Sequence, residues 1–381
     1  MNQLPGSGLN ERVTTEIPVV SMANWRAGGA QRRGFAADVV EACHQTGFLL
    51  LVDHGVSEDL IDRYFNSLQL FFALPTETKA LMAKSRSRHF RGWEAIGAEL
   101  TNNQVDYREQ IDLSAEHSAR PADVAPAYLR LDGPNQWLPA EVLPGFREVV
   151  TEYFDAMVAL ANELMGVIAV GLGLPEDTFA RRFGERPLGF LKLISYPPTP
   201  SGQAGVNGHH DAGFLTLLLQ HGVGGLQVES ERGDWIDVPP RDDAFVVNLG
   251  EMLQAMTGNY LVATNHRVIT SAQRFSSAYF HGPDLRASLE PLDLDPSFAQ
   301  AVAKSPRHRS AGFMAKREQL LEGSEGLDGD AVQIFGEQMW NYYLRSYPEL
   351  VSAHYPEATG ERDHRSSGFS HRQPANHLPL L

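Results

Sequence analysis

The sequence predicts an α+β protein with a mainly β core, a double-sheet jelly roll, flanked by N-terminal and C-terminal helices. One observation is a series of short apolar runs between about residues 188 and 282, namely FLKLISY, FLTLLLQ, GLQVE, WIDVP, AFVVNLG and SSAYFH. Glycine and proline turns separate them, which is typical of a sandwich or barrel, and a jelly roll protects its edges by covering one sheet with another. The other is an apolar stripe at helical spacing over residues 144–172, which predicts a long helix behind that core.

The N-terminal residues predict alternating strands and helices. We expect a strand near residue 17, a helix near 31–46, a strand at Phe48–Val52 and a helix that the side chain of Ser57 can cap. Residues 85–140 are polar and are predicted to be irregular, with charged and aromatic side chains that can reach into a pocket.

These patterns divide one structural unit into four consecutive regions. They are an N-terminal α/β region at 1–140, a backing helix at 141–185, a jelly-roll core at 186–290, and a C-terminal region at 291–381 that includes a helix near 331–347 and a mobile tail.

Composition excludes several classes of protein. The 381 residues are 43% hydrophobic and carry a formal charge of −15, so a nucleic-acid surface is not expected, because a phosphate backbone would be repelled. The single cysteine, Cys43, cannot form an internal disulfide, and its apolar surroundings favour a core position. The N-terminus resembles no secretory signal, and we find no run of eighteen apolar residues, so we expect a cytoplasmic protein without a membrane span. The oligomeric state stays open.

The most informative motif is the segment GHHDAG at residues 208–213, followed by NHRV at 265–268. Successive side chains of a strand point to opposite faces, so His209 and Asp211 share one face while His210 points away from it. His266 begins a second apolar stretch that can run alongside the first. Two imidazoles and one carboxylate can bind one face of Fe(II) and leave the opposite face open, as in non-haem iron oxygenases. We therefore predict His209, Asp211 and His266 as catalytic metal ligands.

A possible anion site follows in the run RFSSAYFHG. Arg274 and Ser276 share a face by the same period-two rule. A guanidinium binds carboxylates through two parallel hydrogen bonds and stays charged when it is desolvated. The pair therefore suits the far carboxylate of a small diacid that chelates the iron at its other end, and the implied cosubstrate is 2-oxoglutarate.

Motifs along nearly the whole chain resemble the iron(II)/2-oxoglutarate-dependent oxygenases of the isopenicillin N synthase type. Beside the motifs above, the matching segments are IPVV at 17–20, TGF at 46–48, DHGV at 53–56, FFALP at 71–75, GPNQW at 133–137, YPP at 196–198 and GGLQV at 224–228. The resemblance implies a double-stranded β-helix fold, Fe(II), 2-oxoglutarate and dioxygen as cofactor and cosubstrates, and a small-molecule substrate. It also implies Tyr196 and Asn248 as further residues of the cosubstrate pocket. Ile194 departs from the asparagine that many plant members carry there.

The substrate-contacting residues are suggested by a narrower similarity. Residues 91–101, RGWEAIGAELT, resemble a substrate-facing stretch of the bacterial ethylene-forming oxygenase. The candidates for substrate contact are Arg91, Trp93, Glu99, Thr101 and, beside the metal ligands, His210. Ala212 and Ser195 stand where that enzyme has a tyrosine and an arginine, so ethylene formation is not expected.

Three functions remain open from the sequence. The favoured one is a dioxygenase that hydroxylates, desaturates or cyclises a small molecule with release of succinate and carbon dioxide. A second is an oxidase of the same fold that does not use 2-oxoglutarate, since Arg274 and Ser276 could then bind a carboxylate of the substrate. A third is a non-catalytic metal-binding or ligand-binding module.

Overall fold

In a computed structural model, which describes residues 16–101, 104–184, 186–200, 203–310 and 334–358, a large sheet and a small sheet enclose the centre of the protein. The strands are β1 (Val19–Ser21), β2 (Phe48–Val52), β3 (Gly92–Glu94), β4 (Leu100–Thr101), β5 (Gln104–Val105), β6 (Glu109–Ser114), β7 (Phe190–Tyr196), β8 (Val206–His209), β9 (Leu215–Gln220), β10 (Leu226–Glu229), β11 (Trp235–Asp237), β12 (Ala244–Leu249), β13 (His266–Val268) and β14 (Arg274–His281). The large sheet has the order β1-β2-β12-β9-β14-β7-β6-β3, the small sheet has the order β11-β10-β13-β8, and β4 pairs with β5.

The two sheets close over an apolar cluster of their facing side chains. Phe48, Val246 and Ile194 come from the large sheet, and Val228 and Val268 come from the small sheet. Because side chains alternate along each strand, the opposite face of the large sheet carries a second apolar row, which packs against helices. The double-sheet jelly roll predicted from the sequence is thus the core of the fold.

Helices cover the outer face and the two ends of the large sheet. They are α1 (Met22–Arg26), α2 (Gly29–Gln45), α3 (Glu58–Phe72), α4 (Thr76–Lys79), α5 (Phe146–Gly171), α6 (Thr178–Phe183), α7 (Glu251–Met256), α8 (Pro296–Lys304), α9 (Pro306–Ser310), α10 (Phe335–Ser346) and α11 (Pro348–His354). The predicted helix near 31–46 is α2. The C-terminal helix predicted at 331–347 is α10, although residues 331–333 and the predicted tail lie outside the described residues.

Helix α5 is the predicted backing helix, and it packs against α2, α3, β9 and β14. Its apolar stripe includes Tyr153, Met157 and Leu164, all buried. Within the described residues, α5 is the one helix whose length and apolar composition would allow it to cross a membrane. The sequence analysis did not detect this property because it looked only for an uninterrupted apolar run. Because its apolar face is covered by other elements of this fold, we interpret α5 as a core helix.

Residues 85–140 differ most from the sequence-based expectation. They were predicted to be irregular, but β6 is an internal strand of the large sheet, between β3 and β7. Its outer face carries Ile111 and Leu113, whereas its inner face carries Gln110, Asp112 and Ser114, all of them buried. The prediction was wrong because buried polar side chains on the inner face made the strand look like a solvated loop.

Two local predictions can be compared directly with the structure. Ser57 precedes the first residue of α3 as predicted, but its side chain makes no capping hydrogen bond. Cys43 is buried in α2, and burial raises the pKa of its thiol to about 12, which agrees with a core residue rather than a nucleophile.

The turn between β12 and α7 holds the segment that contains Asp211. The backbone N–H of Glu251 donates to the carbonyl of Asp211 at 2.8 Å, and the N–H of Gly250 donates to Phe214 at 3.0 Å. A Cβ atom on Gly250 would lie 2.2 Å from the carbonyl oxygen of Gly213. Only glycine therefore lets the two backbones approach this closely.

We expect Gly250→Ala to lower the free energy of unfolding by roughly 1–3 kcal/mol, because the added methyl must displace the backbone of Gly213. Gly34→Ala is the matched control, since Gly34 is in the middle of α2 with open space around it, and there the change should stabilise the helix by about 0.5–1 kcal/mol. Urea unfolding of both variants measures the difference. Equal stabilities would contradict the proposed backbone contact.

Candidate metal and cosubstrate site

Two strands of the small sheet bring the three predicted metal ligands together. Strand β8 ends at His209 and β13 begins at His266, and these residues lie opposite each other in the antiparallel pairing. Asp211 follows two residues after His209. One side-chain atom from each residue lies within 4.8 Å of the other two, and within the described part of the chain this is the one group of three or more such residues able to hold a metal.

The histidine rings are turned so that the same nitrogen of each faces Asp211. Nδ1 of His209 donates to the carbonyl of Asn207 at 2.9 Å, and Nδ1 of His266 donates to the carbonyl of Thr264 at 3.0 Å. The Nε2 atoms are then 3.6 Å and 3.7 Å from Oδ1 of Asp211. A hydrogen bond from Nδ1 fixes the tautomer and leaves the lone pair of Nε2 for a metal.

The second oxygen of Asp211 is held from behind. Oδ2 accepts hydrogen bonds from Oγ1 of Thr216 and Nδ2 of Asn248, each at 2.6 Å. Although burial alone would raise the pKa of Asp211, the two histidines and these two donors lower it, so the carboxylate is ionised. Oδ1 is left as the oxygen that faces Nε2 of both histidines.

The donor set fits a divalent iron ion. Burial, together with the neighbouring His266, lowers the pKa of His209 to about 3, so its imidazole is neutral at physiological pH. Two imidazoles and one carboxylate match the ligands of non-haem Fe(II) centres, and three ligands from one side leave coordination positions for other molecules. The geometry brings the three residues together, and their binding of iron stays a prediction.

Arg274 and Ser276 lie together on the inner face of the large sheet. Both are fully buried, and NH1 of Arg274 donates to Oγ of Ser276 at 2.9 Å. NH2 donates to Oε1 of Gln220 at 3.1 Å, and the guanidinium carbon lies 4.8 Å from the ring centre of Tyr196. The sequence predicted Arg274, Ser276 and Tyr196 at this site. It did not predict Gln220, which was included only as the last residue of the apolar run FLTLLLQ.

The charge of Arg274 has no protein counter-ion in the part of the chain that the structure describes. No described carboxylate lies within 4.0 Å of its guanidinium nitrogens, and its Nε has no hydrogen-bond partner there. Burial lowers the pKa of this guanidinium. A buried unpaired cation costs several kcal/mol, and a bound carboxylate would remove much of that cost. The site is therefore suited to an anionic ligand.

Asn248 has a different neighbour from the one expected. The sequence analysis placed it in contact with 2-oxoglutarate, whereas its amide nitrogen donates to Asp211 in the structure. It pairs in register with Phe48 on one side and with Thr216 on the other, which fixes it behind the carboxylate.

Two of the candidates for substrate contact have structural roles instead. NH1 and NH2 of Arg91 donate to the carbonyls of Ala115, Gly133 and Leu131 at 2.8–3.0 Å, and its side chain is 1% exposed. It therefore joins two loop segments. Trp93 is buried as well, and its Nε1 donates to Glu109 at 3.0 Å. Both predictions were wrong. A sequence motif does not show which side chains are already engaged in hydrogen bonds with neighbouring loops and strands.

Glu99 and Thr101 belong to a buried ionic cluster rather than to an open pocket wall. Glu99 forms ion pairs with Arg108 at 2.7 Å and with Lys192 at 3.2 Å. Despite burial, which would raise it, these cations hold the pKa of Glu99 well below its usual range. Oγ1 of Thr101 donates to Asp106 at 2.7 Å. Glu99 was a candidate for substrate contact, but cations of the protein already pair with it.

His210 is half-buried directly after β8, between the two ligands that the sequence motif contains. Thr216, Gln220, Asp106 and Arg108 were not identified from the sequence. For Thr216 and Gln220 a signal exists, since both are polar residues at inward positions of the strand LTLLLQ.

Sequence families match both halves of the chain. Residues 17–140 match the family model described as non-haem dioxygenase in morphine synthesis N-terminal, and residues 187–283 match that of the 2OG-Fe(II) oxygenase superfamily. The 2-oxoglutarate-dependent dioxygenase frbJ of Dothideomycetidae sp. (strain 11243) is 35% identical over 291 residues, covering 74% of this chain and 78% of the relative. The 2-oxoglutarate-dependent dioxygenase citB of Monascus ruber is 35% identical and covers 67% and 80%.

Solved structures show the same architecture. A full-length Neurospora crassa protein in complex with alpha-KG and thymine has 27% sequence identity and a TM-score of 0.64, covering 75% of this chain and 91% of that chain. A putative 2OG-Fe(II) oxygenase family protein from Caulobacter crescentus has 25% identity and a TM-score of 0.63, covering 82% and 100%.

We expect Thr216→Val to weaken metal binding by roughly 10- to 100-fold, because Asp211 loses one of the two donors that orient it. Ser277→Ala is the control, since it also removes a buried hydroxyl, one bonded to Tyr64 at 2.6 Å on the other face of the sheet. Titration of the apoprotein with Co(II), followed by tryptophan fluorescence, measures both affinities. A similar loss in the two variants would show that Thr216 has no special part in the metal site.

Proposed function

Because the chain belongs to the 2OG-Fe(II) oxygenase superfamily and is an Fe(II)- and 2-oxoglutarate-dependent dioxygenase of small molecules, we propose that His209, Asp211 and His266 bind its iron. The observation that supports this assignment is the convergence of one atom from each residue within 4.8 Å, with the remaining polar atoms of all three held by hydrogen bonds. The relatives described as 2-oxoglutarate-dependent dioxygenases favour this reaction over a cosubstrate-free oxidase and over a non-catalytic module.

We propose that Arg274 and Ser276 bind the distal carboxylate of 2-oxoglutarate. The unpaired guanidinium supports this assignment, because it has a hydroxyl beside it and no carboxylate among the described residues as partner. Tyr196 forms one wall through its contact with the guanidinium, and Gln220 fixes the other side of the fork. A carboxylate at this position would be both charge-paired and screened from water.

The residues of the protein orient the reactants and exclude water. When bound, Fe(II) supplies the activation of dioxygen, coupled to oxidation of 2-oxoglutarate to succinate and carbon dioxide, and the hydrogen abstraction from the substrate. Oγ1 of Thr216 and Nδ2 of Asn248 hold one oxygen of Asp211, so the other oxygen would be the one to bind the metal. The apolar cluster of Phe48, Ile194 and Val246 between the sheets separates this centre from solvent.

We propose hydroxylation of a carbon atom as the reaction. Hydroxylation needs a single hydrogen abstraction followed by oxygen transfer to the same carbon, whereas desaturation or ring closure needs a second abstraction from the substrate. Product analysis separates the three outcomes, because hydroxylation adds one oxygen atom to the substrate and the other two remove two hydrogen atoms.

The test is an anaerobic titration of the Fe(II)-loaded protein with 2-oxoglutarate, followed by the visible charge-transfer absorption of the iron chelate. We expect a saturable band in the wild type and none in His266→Ala. Arg274→Leu should weaken 2-oxoglutarate binding by about 2–5 kcal/mol, since one member of a buried charge pair is lost. Arg241→Leu is the matched control, because Arg241 is a partly exposed arginine paired with Asp243.

Two results would contradict these assignments. A band of full intensity in His266→Ala would exclude His266 as a ligand. An unchanged affinity in Arg274→Leu would place the distal carboxylate elsewhere. Lys192 is then a poor substitute, since it already pairs with Asp112 at 2.9 Å and with Glu99.

A further inference from the structure

We propose that Asp106 is a positioning residue for the metal site, holding the backbone that orients His209. Asp106 follows β5 in the N-terminal region, about a hundred residues before the ligands, and its side chain is fully buried. This inference rests on the proposed role of His209 as an iron ligand.

One carboxylate oxygen of Asp106 binds two groups of a single residue. Oδ1 accepts a hydrogen bond from the backbone N–H of Asn207 at 3.1 Å and another from its Nδ2 at 3.0 Å. The carbonyl of Asn207 in turn accepts the hydrogen bond from Nδ1 of His209 at 2.9 Å. Asp106 thus holds the residue whose carbonyl determines the direction of the His209 ring.

Strand β8 is irregular and lies at the edge of the small sheet. His266 pairs with His209, but Val268 pairs with Val206, so β8 has one more residue than β13 between the two pairs. Such a bulge leaves a backbone group without its partner in the ladder, and bulges often lie beside active sites. Because β8 is the edge strand of the small sheet, its outward backbone groups need partners from outside the sheet, and Asp106 accepts the N–H of Asn207.

The other oxygen of Asp106 is fixed just as firmly. Oδ2 accepts hydrogen bonds from Oγ1 of Thr101 at 2.7 Å and from NH2 of Arg108 at 3.1 Å. Arg108 also pairs with Glu99, which connects Asp106 to the buried ionic cluster between β6 and β7. The carboxylate cannot rotate without breaking an ion pair, so it is a rigid support for Asn207.

The second histidine shows how the two supports differ. The carbonyl that orients His266 belongs to Thr264, whose hydroxyl donates to the carbonyl of Thr46 at 2.7 Å and accepts from Arg307 at 3.1 Å. The support there is a backbone carbonyl and an arginine, and β13 is an internal strand of the small sheet. On the His209 side, a buried charge has that role.

The experiment compares the Co(II) affinity of two buried-carboxylate variants. Asp106→Asn keeps the size of the side chain but places an amide N–H against Thr101 and Arg108 or against Asn207, all of which donate. We expect the dissociation constant for Co(II) to rise by about 10- to 100-fold and the visible absorption of bound Co(II) to change, because the direction of His209 changes.

Asp112→Asn is the matched control. Asp112 is a buried carboxylate of the same ionic cluster, paired with Lys84 and Lys192, and the structure shows no bond from it to Asn207. We expect this variant to lose stability on heating as Asp106→Asn does, but to keep the Co(II) affinity and spectrum of the wild type. Equal effects of the two variants on Co(II) would overturn the proposal, since Asp106 would then support the fold only.

Two further variants make the result decisive. Thr101→Val removes one of the donors to Asp106 and should raise the Co(II) dissociation constant by a smaller factor, so it replaces Asp106→Asn if that variant does not fold. An unchanged affinity in it would then overturn the proposal. His209→Ala tests the premise that His209 is a ligand. If this variant binds Co(II) like the wild type, the ligand assignment fails. If it loses Co(II) binding while the Asp106 and Thr101 variants keep it, only the proposed role of Asp106 is rejected.

Discussion

The antiparallel pairing of β8 with β13 is the constraint on which the rest of this structure depends. It places His209 opposite His266 and leaves Asp211 to return toward both rings two residues later. A shift of one residue in this register would turn one imidazole to the other face of the sheet and separate the ligands. The carbonyls of Asn207 and Thr264 then fix the directions of the two rings.

Two kinds of buried charge lie within the same fold. In the ionic cluster, Glu99, Arg108 and Lys192 satisfy one another, so their contribution is to hold β6 and β7 and the segment before them in place. Arg274 differs because the described residues offer it hydroxyl, amide and aromatic neighbours but no carboxylate. A charge that is desolvated and unpaired binds an anion more strongly than an exposed one, which distinguishes a ligand site from a structural cluster.

The N-terminal region is part of the active-site architecture rather than an accessory to the jelly roll. Strands β1 and β2 extend the large sheet at one edge, and β3 and β6 extend it at the other. The same region supplies Thr46 beside the His266 support and Asp106 beside the His209 support. A division of the chain at residue 140 is useful for sequence comparison, but it is crossed by hydrogen bonds to Asn207 and Thr264, whose carbonyls orient the proposed metal ligands.

The sequence by itself determined the jelly roll, the backing helix, the His209–Asp211 pair and the Arg274–Ser276 pair, because each of these depends on short-range periodicity. His209 and Asp211 are two residues apart on one strand, and Arg274 and Ser276 are as well, so local geometry alone places each pair on one face. Only the tertiary structure decided the hydrogen-bond partners of Arg91, Asn248 and Asp106, and the position of His266 as the neighbour of His209. Their partners are distant in sequence, and whether a buried polar side chain faces a ligand, a loop carbonyl or another charge depends on which strands become neighbours.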